Sequence, residues 1–258
     1  MATQVVVSEK RRIATRNERR DSWWVLPVAI VVAYLAFIIY TTWAGLQDAN
    51  YFHDPYLSPY YSPCIAARCT KPTFELIGSW WALSPAILIL AFPAGLRVTC
   101  YYYRKAYYRS FFLSPPGCAV PDASKRYTGE SRFPYIIQNI HRYFFWVSLI
   151  VIGFLWYDTI KAFDFPDGFG IGLGTLIMLA NVILLMSYSL SCHSCRYLSG
   201  GYLDRFFKAP IRYRMWRIVS RLNARHAWLA WISMASVALT DLYIRLVASG
   251  AISDWRII

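Results

Sequence analysis

The sequence predicts an all-α integral membrane protein, a bundle of five transmembrane helices with its N-terminus inside and its C-terminus outside. Three observations predict it. Five long apolar runs divide the 258 residues, Lys and Arg collect in alternate connections, and aromatic residues gather near the ends of the runs. The whole chain, 1–258, reads as one membrane domain, with residues 1–22 a basic cytoplasmic tail.

The runs are Trp23–Trp43, Leu76–Leu96, Pro134–Tyr157, Gly170–Ser191 and Ala227–Ser249. Each holds about 20 residues or more, enough at ~1.5 Å per residue to cross a hydrocarbon core of ~30 Å. Backbone groups in lipid must find their partners within the segment, so each run is a helix. The first run follows a basic tail, as the core of a signal peptide does. It is longer than the usual core of about 7–15 residues, and no small-x-small cleavage site follows it. It is therefore read as an uncleaved helix. Trp23, Trp24, Trp80, Trp81 and Tyr101–Tyr103 stand where interfacial aromatic belts belong, and anchoring at the headgroups accounts for them.

Orientation follows from the basic residues. The tail carries six, from Lys10 to Arg20. Eight more lie between Arg97 and Arg142, and another eight between Arg196 and Arg225. Only Arg68, Lys71, Lys161, Arg245 and Arg256 fall on or near the other side. Five crossings put all three basic segments in the cytoplasm. The net charge of +13 is thus a topology signal rather than the footprint of a nucleic-acid binder.

The connections divide the remaining features. The outside loop from about Gln47 to Phe74 holds Cys64 and Cys69, which an oxidising compartment would close into a small disulfide loop; two free thiols are the alternative. His53 in that loop reads as an exposed polar residue, and Pro166-Asp167-Gly168 marks a tight turn. The inside loop Cys100–Phe133 is rich in Pro and Gly and looks more structured than a linker. Pro210–Arg225 spaces Ile211, Met215, Ile218 and Leu222 helically opposite Arg residues, and is expected to extend the last helix. No polar segment is long enough to build a soluble catalytic domain.

Chemistry must then lie in one set of soft ligands. His141, His193 and His226, with Cys100, Cys118, Cys192 and Cys195, all fall on the cytoplasmic side, near the ends of helices two to five. Polar groups at the hydrocarbon boundary are costly and mark function. Cys192 and Cys195 are spaced i, i+3, so both thiols are expected on one helix face, holding one metal ion. His141 and His226 come from two other helices and would hold a second. Two thiolates on one iron and two imidazoles on the other form the ligand set of a Rieske-type [2Fe–2S] centre. Three other readings compete: a b-type haem between His141 and His226, a structural zinc on the same four residues, and inert small cysteines packed at helix ends. His193 or Cys100 is open as a substitute for one of the four ligands.

The chain resembles the single membrane-anchor subunit of an actinobacterial, mycobacterial-type succinate:quinone oxidoreductase, respiratory complex II. The likeness rests on the five runs, the basic tail, Asn-Ile-His-Arg-Tyr around His141, Ser-Cys-His-Ser-Cys-Arg-Tyr-Leu-Ser-Gly-Gly from Ser191 to Gly201, and Ala-Arg-His-Ala-Trp around His226. Five-helix anchors of the dihaem class take four His from four helices. This chain departs from that pattern, with no His in the first run and Cys100 at the end of the second, which favours an iron–sulfur relay. The resemblance implies a flavoprotein subunit and an iron–sulfur subunit docked on the inside face, at loops around Arg104–Arg109 and Arg205–Arg217. It also implies residence in the bacterial inner membrane, with a membrane quinone, menaquinone by expectation, as electron acceptor. Tyr188, Trp228 and Trp231 mark the region expected for the quinone, without an assignment of its pocket. A transporter or assembly factor is the reading from another class, though no repeated halves support it.

Two carboxylates sit in the outer half of the spans. Asp158 is expected to pair with Lys161, and Asp241 with Arg245, at i, i+3 and i, i+4 spacing.

Overall fold

The structure is a computed structural model that describes residues 17, 19–62, 85–123, 135–201 and 203–258. It is mostly helical, with eight helices among the described residues: α1 (Val25–Leu46), α2 (Pro85–Thr99), α3 (Tyr101–Ser110), α4 (His141–Lys161), α5 (Leu173–Leu190), α6 (His193–Gly200), α7 (Pro210–Asn223) and α8 (His226–Ala248). Two small antiparallel ribbons join them, β1 (Phe52–His53) with β2 (Tyr56–Leu57) and β3 (Asp164–Phe165) with β4 (Gly168–Phe169).

Among the described residues, four helical segments are long and apolar enough to cross a membrane: Val25–Leu46, Ile136–Lys161, Leu173–Leu190 and His226–Ala248. They correspond to the first, third, fourth and fifth apolar runs. The second run is described only from Pro85, and its first half lies outside the described residues. The expected disulfide cysteines Cys64 and Cys69, and the tail before Asn17, also lie outside them.

α5 and α8 pack along one another, α4 packs on α2 and α5, and α1 rests on α3 and α8. At the α5–α8 contact the buried Asn181 accepts a hydrogen bond of 2.9 Å from Ser236. Such contacts hold helices together in lipid, where apolar side chains gain little by leaving the solvent. α1 buries only Pro27, Ala44 and Gly45, and turns Leu26, Val32 and Ile39 outward. In a bilayer that outward face is at home.

α2 and α4 approach at Gly95. A Cβ there would lie 2.4 Å from the Phe144 ring. Gly95→Leu is expected to force Phe144 aside and destabilise the protein by about 1–3 kcal/mol, the usual range for overpacking. Thermal unfolding in detergent micelles checks this, and an unchanged midpoint would refute the close packing.

The end of the bundle carrying Asp241 and Arg245 is closed by the segment after α1. Tyr61 donates to the carbonyls of Ala44 and Gly45, at 3.0 and 3.2 Å. The Ser58 hydroxyl donates to Asp241, and the Ser62 hydroxyl to Asp158. The C-terminal tail returns to the start of α5, where Ile171 and Ile258 exchange backbone hydrogen bonds. Asp254 there accepts bonds from Tyr56, Tyr243 and the Gly174 amide. Its carboxylate caps the first turn of α5 from a distance.

Asp241 and Arg245 pair as expected, at 2.8 Å, with both side chains buried. Asp158 does not pair with Lys161. It turns inward to Ser62, while Lys161 reaches outward and meets Asp164 at 3.5 Å. The long lysine stem lets its ammonium reach the surface, and the short aspartate has no such reach. The expected turn at Pro166-Asp167-Gly168 is present between β3 and β4, with Gly168 at φ +117°. His53 is exposed.

One further expectation is corrected. Pro210–Arg225 does not continue the last helix, because the chain breaks at Ala224–Arg225 and α7 folds back against α6. Arg212 secures that hairpin by donating to the carbonyls of Leu198, Ser199 and Gly201 at the end of α6. Orphan carbonyls at a helix C-terminus favour a cation there.

Candidate metal centre

The end of the bundle opposite Asp241 gathers four soft donors from four chain breaks. Cys100 lies between α2 and α3, and Cys192 between α5 and α6. Both have extended backbones, φ −66°, ψ 132° and φ −64°, ψ 149°, and each is the residue just before a helix. His141 and His226 are the first residues of α4 and α8. Helix starts fix the imidazoles, while the extended residues swing the thiols out of the helical path.

The four donors interlock in two pairs. His141 Nε2 lies 3.0 Å from Cys192 Sγ, and His226 Nε2 lies 3.3 Å from Cys100 Sγ. Each imidazole is held from behind by a hydroxyl. Thr99 Oγ1 is 2.7 Å from His141 Nδ1, and Ser191 Oγ is 2.6 Å from His226 Nδ1. The two dipeptides Thr99-Cys100 and Ser191-Cys192 therefore cross over, each offering its hydroxyl to one imidazole and its thiol to the other. With Nδ1 engaged, Nε2 is the nitrogen left for a metal ion, an arrangement typical of metal-binding histidines. Asn223, at the end of α7, donates to the Ser191 carbonyl at 2.8 Å and ties the α7–α8 break to this layer.

Cys100, His141, Cys192 and His226 line one cavity of 620 Å³, with Thr99, Arg142 and His193 also on its wall. His226 is buried and its ring stacks on Tyr188, 5.0 Å away and 13° from parallel. Burial pushes the Cys192 thiol up to about 11. That thiol stays protonated at neutral pH until something with positive charge displaces the proton.

Of the four residues expected to be ligands, the structure brings together Cys192, His141 and His226. Cys195 does not line the cavity. It lies inside α6 at intermediate burial, packed against the apolar core, with its thiol next to Ser199. Cys192 precedes α6 instead of belonging to it, so the two cysteines do not share one helix face. Cys100 stands in the fourth place. His193 is exposed on the wall of the cavity, and Cys118 is exposed. All four described cysteines are free.

Among the described residues, no three His, Cys, Asp or Glu side chains surround a single metal position. The donors lie as two His–Cys pairs. Trp228 is 73% exposed, and Trp231 packs on Tyr34 and Tyr103. Neither lines the donor cavity.

The fold and this site define a multi-pass helical membrane protein that collects imidazole and thiol donors at one end of its bundle. Residues 25–250 match the family described as actinobacterial succinate dehydrogenase subunit SdhC. The chain is also 46% identical to a chain of the "Mycobacterium smegmatis Sdh1 complex in the apo form", with 100% of each chain covered and a TM-score of 0.86. No curated protein matches by sequence. The chain belongs to the actinobacterial SdhC family and is a membrane-anchor subunit of succinate dehydrogenase. It is accordingly a multi-pass protein of the bacterial inner membrane, and the transporter and assembly-factor readings fall away.

Proposed function

We propose that this anchor spans the membrane five times, N-terminus inside, and passes electrons from a docked iron–sulfur subunit to membrane quinone through a Rieske-type [2Fe–2S] centre. Cys100, Cys192, His141 and His226 would hold it. The observation that carries this reading is the crossed quartet itself: two imidazoles and two thiols from four helix breaks, lining one cavity. The donors fit such a cluster in type and number.

When bound, a cluster of this kind supplies one-electron transfer at a potential raised by its neutral imidazole ligands. The chain's own residues do the rest. Thr99 and Ser191 orient the imidazoles, and the aromatic ring of Tyr188 covers His226. Arg104, Arg142 and the basic stretch Arg205–Arg217 border this end and suit the docking of the iron–sulfur subunit, itself joined to the flavoprotein.

The test is spectroscopic. The purified complex, reduced with dithionite, is expected to show a Rieske-type EPR signal that disappears in the His141→Ala/His226→Ala variant. Quinone reduction in that variant, normalised to dye-linked succinate oxidation of the same preparation, should fall at least a hundredfold, as about 10–100-fold losses already follow from changes outside the ligand set. A sharp haem α-band, or bound zinc without an EPR signal, would overturn the proposal.

A further inference from the structure

α7 presents three faces. One rests on α6: Val219 is buried, and Arg212 is bonded to carbonyls at the end of that helix. Ile211, Met215, Ile218 and Leu222 follow one another at steps of four, three and four, which aligns them on a second face. On it Ile211 is 76% exposed, and Met215 and Ile218 are each 52% exposed. Arg214, Arg217 and Arg221 form a third stripe, on the flank turned away from α6, and all three are exposed. α7 holds four Arg and no acidic residue. Among the described residues, none of the three flank arginines has an ion pair.

The helix also leaves the bundle at a defined depth. Only Ala224 and Arg225 separate it from α8, which is long and apolar enough to cross the membrane. Asn223 at its end bonds the carbonyl of Ser191, where the crossing helix α5 stops. Trp228, in the first turn of α8, is 73% exposed and sits where an interfacial aromatic belt belongs. The C-terminal end of α7 therefore lies where the bundle meets the headgroups. An apolar stripe facing water is unfavourable. In the headgroup layer the same stripe sinks to the acyl boundary, and long basic side chains beside it reach the phosphates.

We propose that α7 lies flat in the headgroup layer at the donor end of the bundle, with Ile211, Met215 and Ile218 at the acyl boundary and Arg214, Arg217 and Arg221 holding the phosphates of anionic phospholipids. Lipid suits this face better than the iron–sulfur subunit does, because the stripe continues from the membrane-crossing part of the chain and its flank carries positive charge alone. Arg205 and Lys208, before the helix, and Arg104 and Arg142, beside the donor cavity, then remain for the partner subunit. The placement holds whether or not the donor quartet carries iron.

The experiment uses the whole complex in lipid nanodiscs. Met215→Cys, in a Cys118→Ser background, is labelled with an environment-sensitive fluorophore, and the complex without that cysteine supplies the background signal. Phospholipid carrying a nitroxide near the start of its acyl chain should quench the label about twofold more than iodide does. Nitroxide phosphatidylglycerol should quench it about twofold more than nitroxide phosphatidylcholine at equal content. That preference should vanish in Arg214→Gln/Arg217→Gln/Arg221→Gln and persist with Lys at the same three positions. Salt at ~0.5 M should weaken it in the unaltered stripe, since exposed charges are screened. Stronger quenching by iodide would place α7 in water. Little quenching by either would mean that the iron–sulfur subunit or a second copy of the chain covers the stripe. Each of these overturns the proposal, as does a preference that is absent from the start, survives the Gln variant or ignores salt.

Discussion

Cys100→Ala is expected to erase the Rieske-type EPR signal of the reduced complex, whereas Cys195→Ala leaves it in place. The two thiols differ in local backbone, not in chemistry. Cys100 and Cys192 occupy matching extended positions before α3 and α6, and each faces an imidazole. Cys195 is one turn into α6, beside Ser199. The loss in Cys100→Ala should extend to quinone reduction, at least a hundredfold relative to dye-linked succinate oxidation. Thr99→Val and Ser191→Ala should be milder, weakening retention of iron by about 10–100-fold, since they release the imidazoles without removing a ligand. A full signal in Cys100→Ala would show that the quartet is not the ligand set.

Arg245→Leu is expected to destabilise the protein by about 3–5 kcal/mol, the usual consequence of stranding one member of a buried ion pair. Asp241 is 0% exposed, and besides Arg245 it accepts bonds from Tyr40 and Ser58. Arg245 in turn donates to Gln47 and to the carbonyls of Ala44 and Ala49. The pair therefore joins α8 to the end of α1 and to the segment beyond it. Asp241→Asn should be destabilising in the same direction. The double variant Asp241→Leu/Arg245→Leu should recover part of the loss, because no uncompensated charge remains. It should not recover all of it, because Gln47, Tyr40 and Ser58 lose their partners. Denaturant unfolding in micelles measures each value. Single variants within about 1 kcal/mol of the original protein would mean that the pair contributes little.

Much of the architecture is legible in the sequence because lipid imposes simple demands. Length and apolarity alone locate α1, α5 and α8 to within three residues, and α4 to within seven. Breaks without Gly or Pro are a different matter. Nothing at Ala224–Arg225 signals that α7 turns away from α8, and the helical spacing of Ile211, Met215 and Ile218 continues smoothly toward it. The same blindness affected the donor set. Reading Ser191–Cys195 as one helix end makes Cys195 the natural companion of Cys192, whereas Cys192 has an extended backbone before α6 and Cys100 holds the matching position before α3. A usable signal was present: a hydroxyl residue followed by Cys closes two apolar runs, as Thr99-Cys100 and as Ser191-Cys192.

Ser58 and Ser62 are four residues apart, yet they fasten acids on two different helices, α8 and α4. A single short strap therefore spans the bundle, and neither rod can slide without tugging the other through it. Lengthening the strap by an inserted residue between those serines would shift one anchor while the second stayed put. The damage would then reach the far side of the bundle, although the insertion itself touches neither helix.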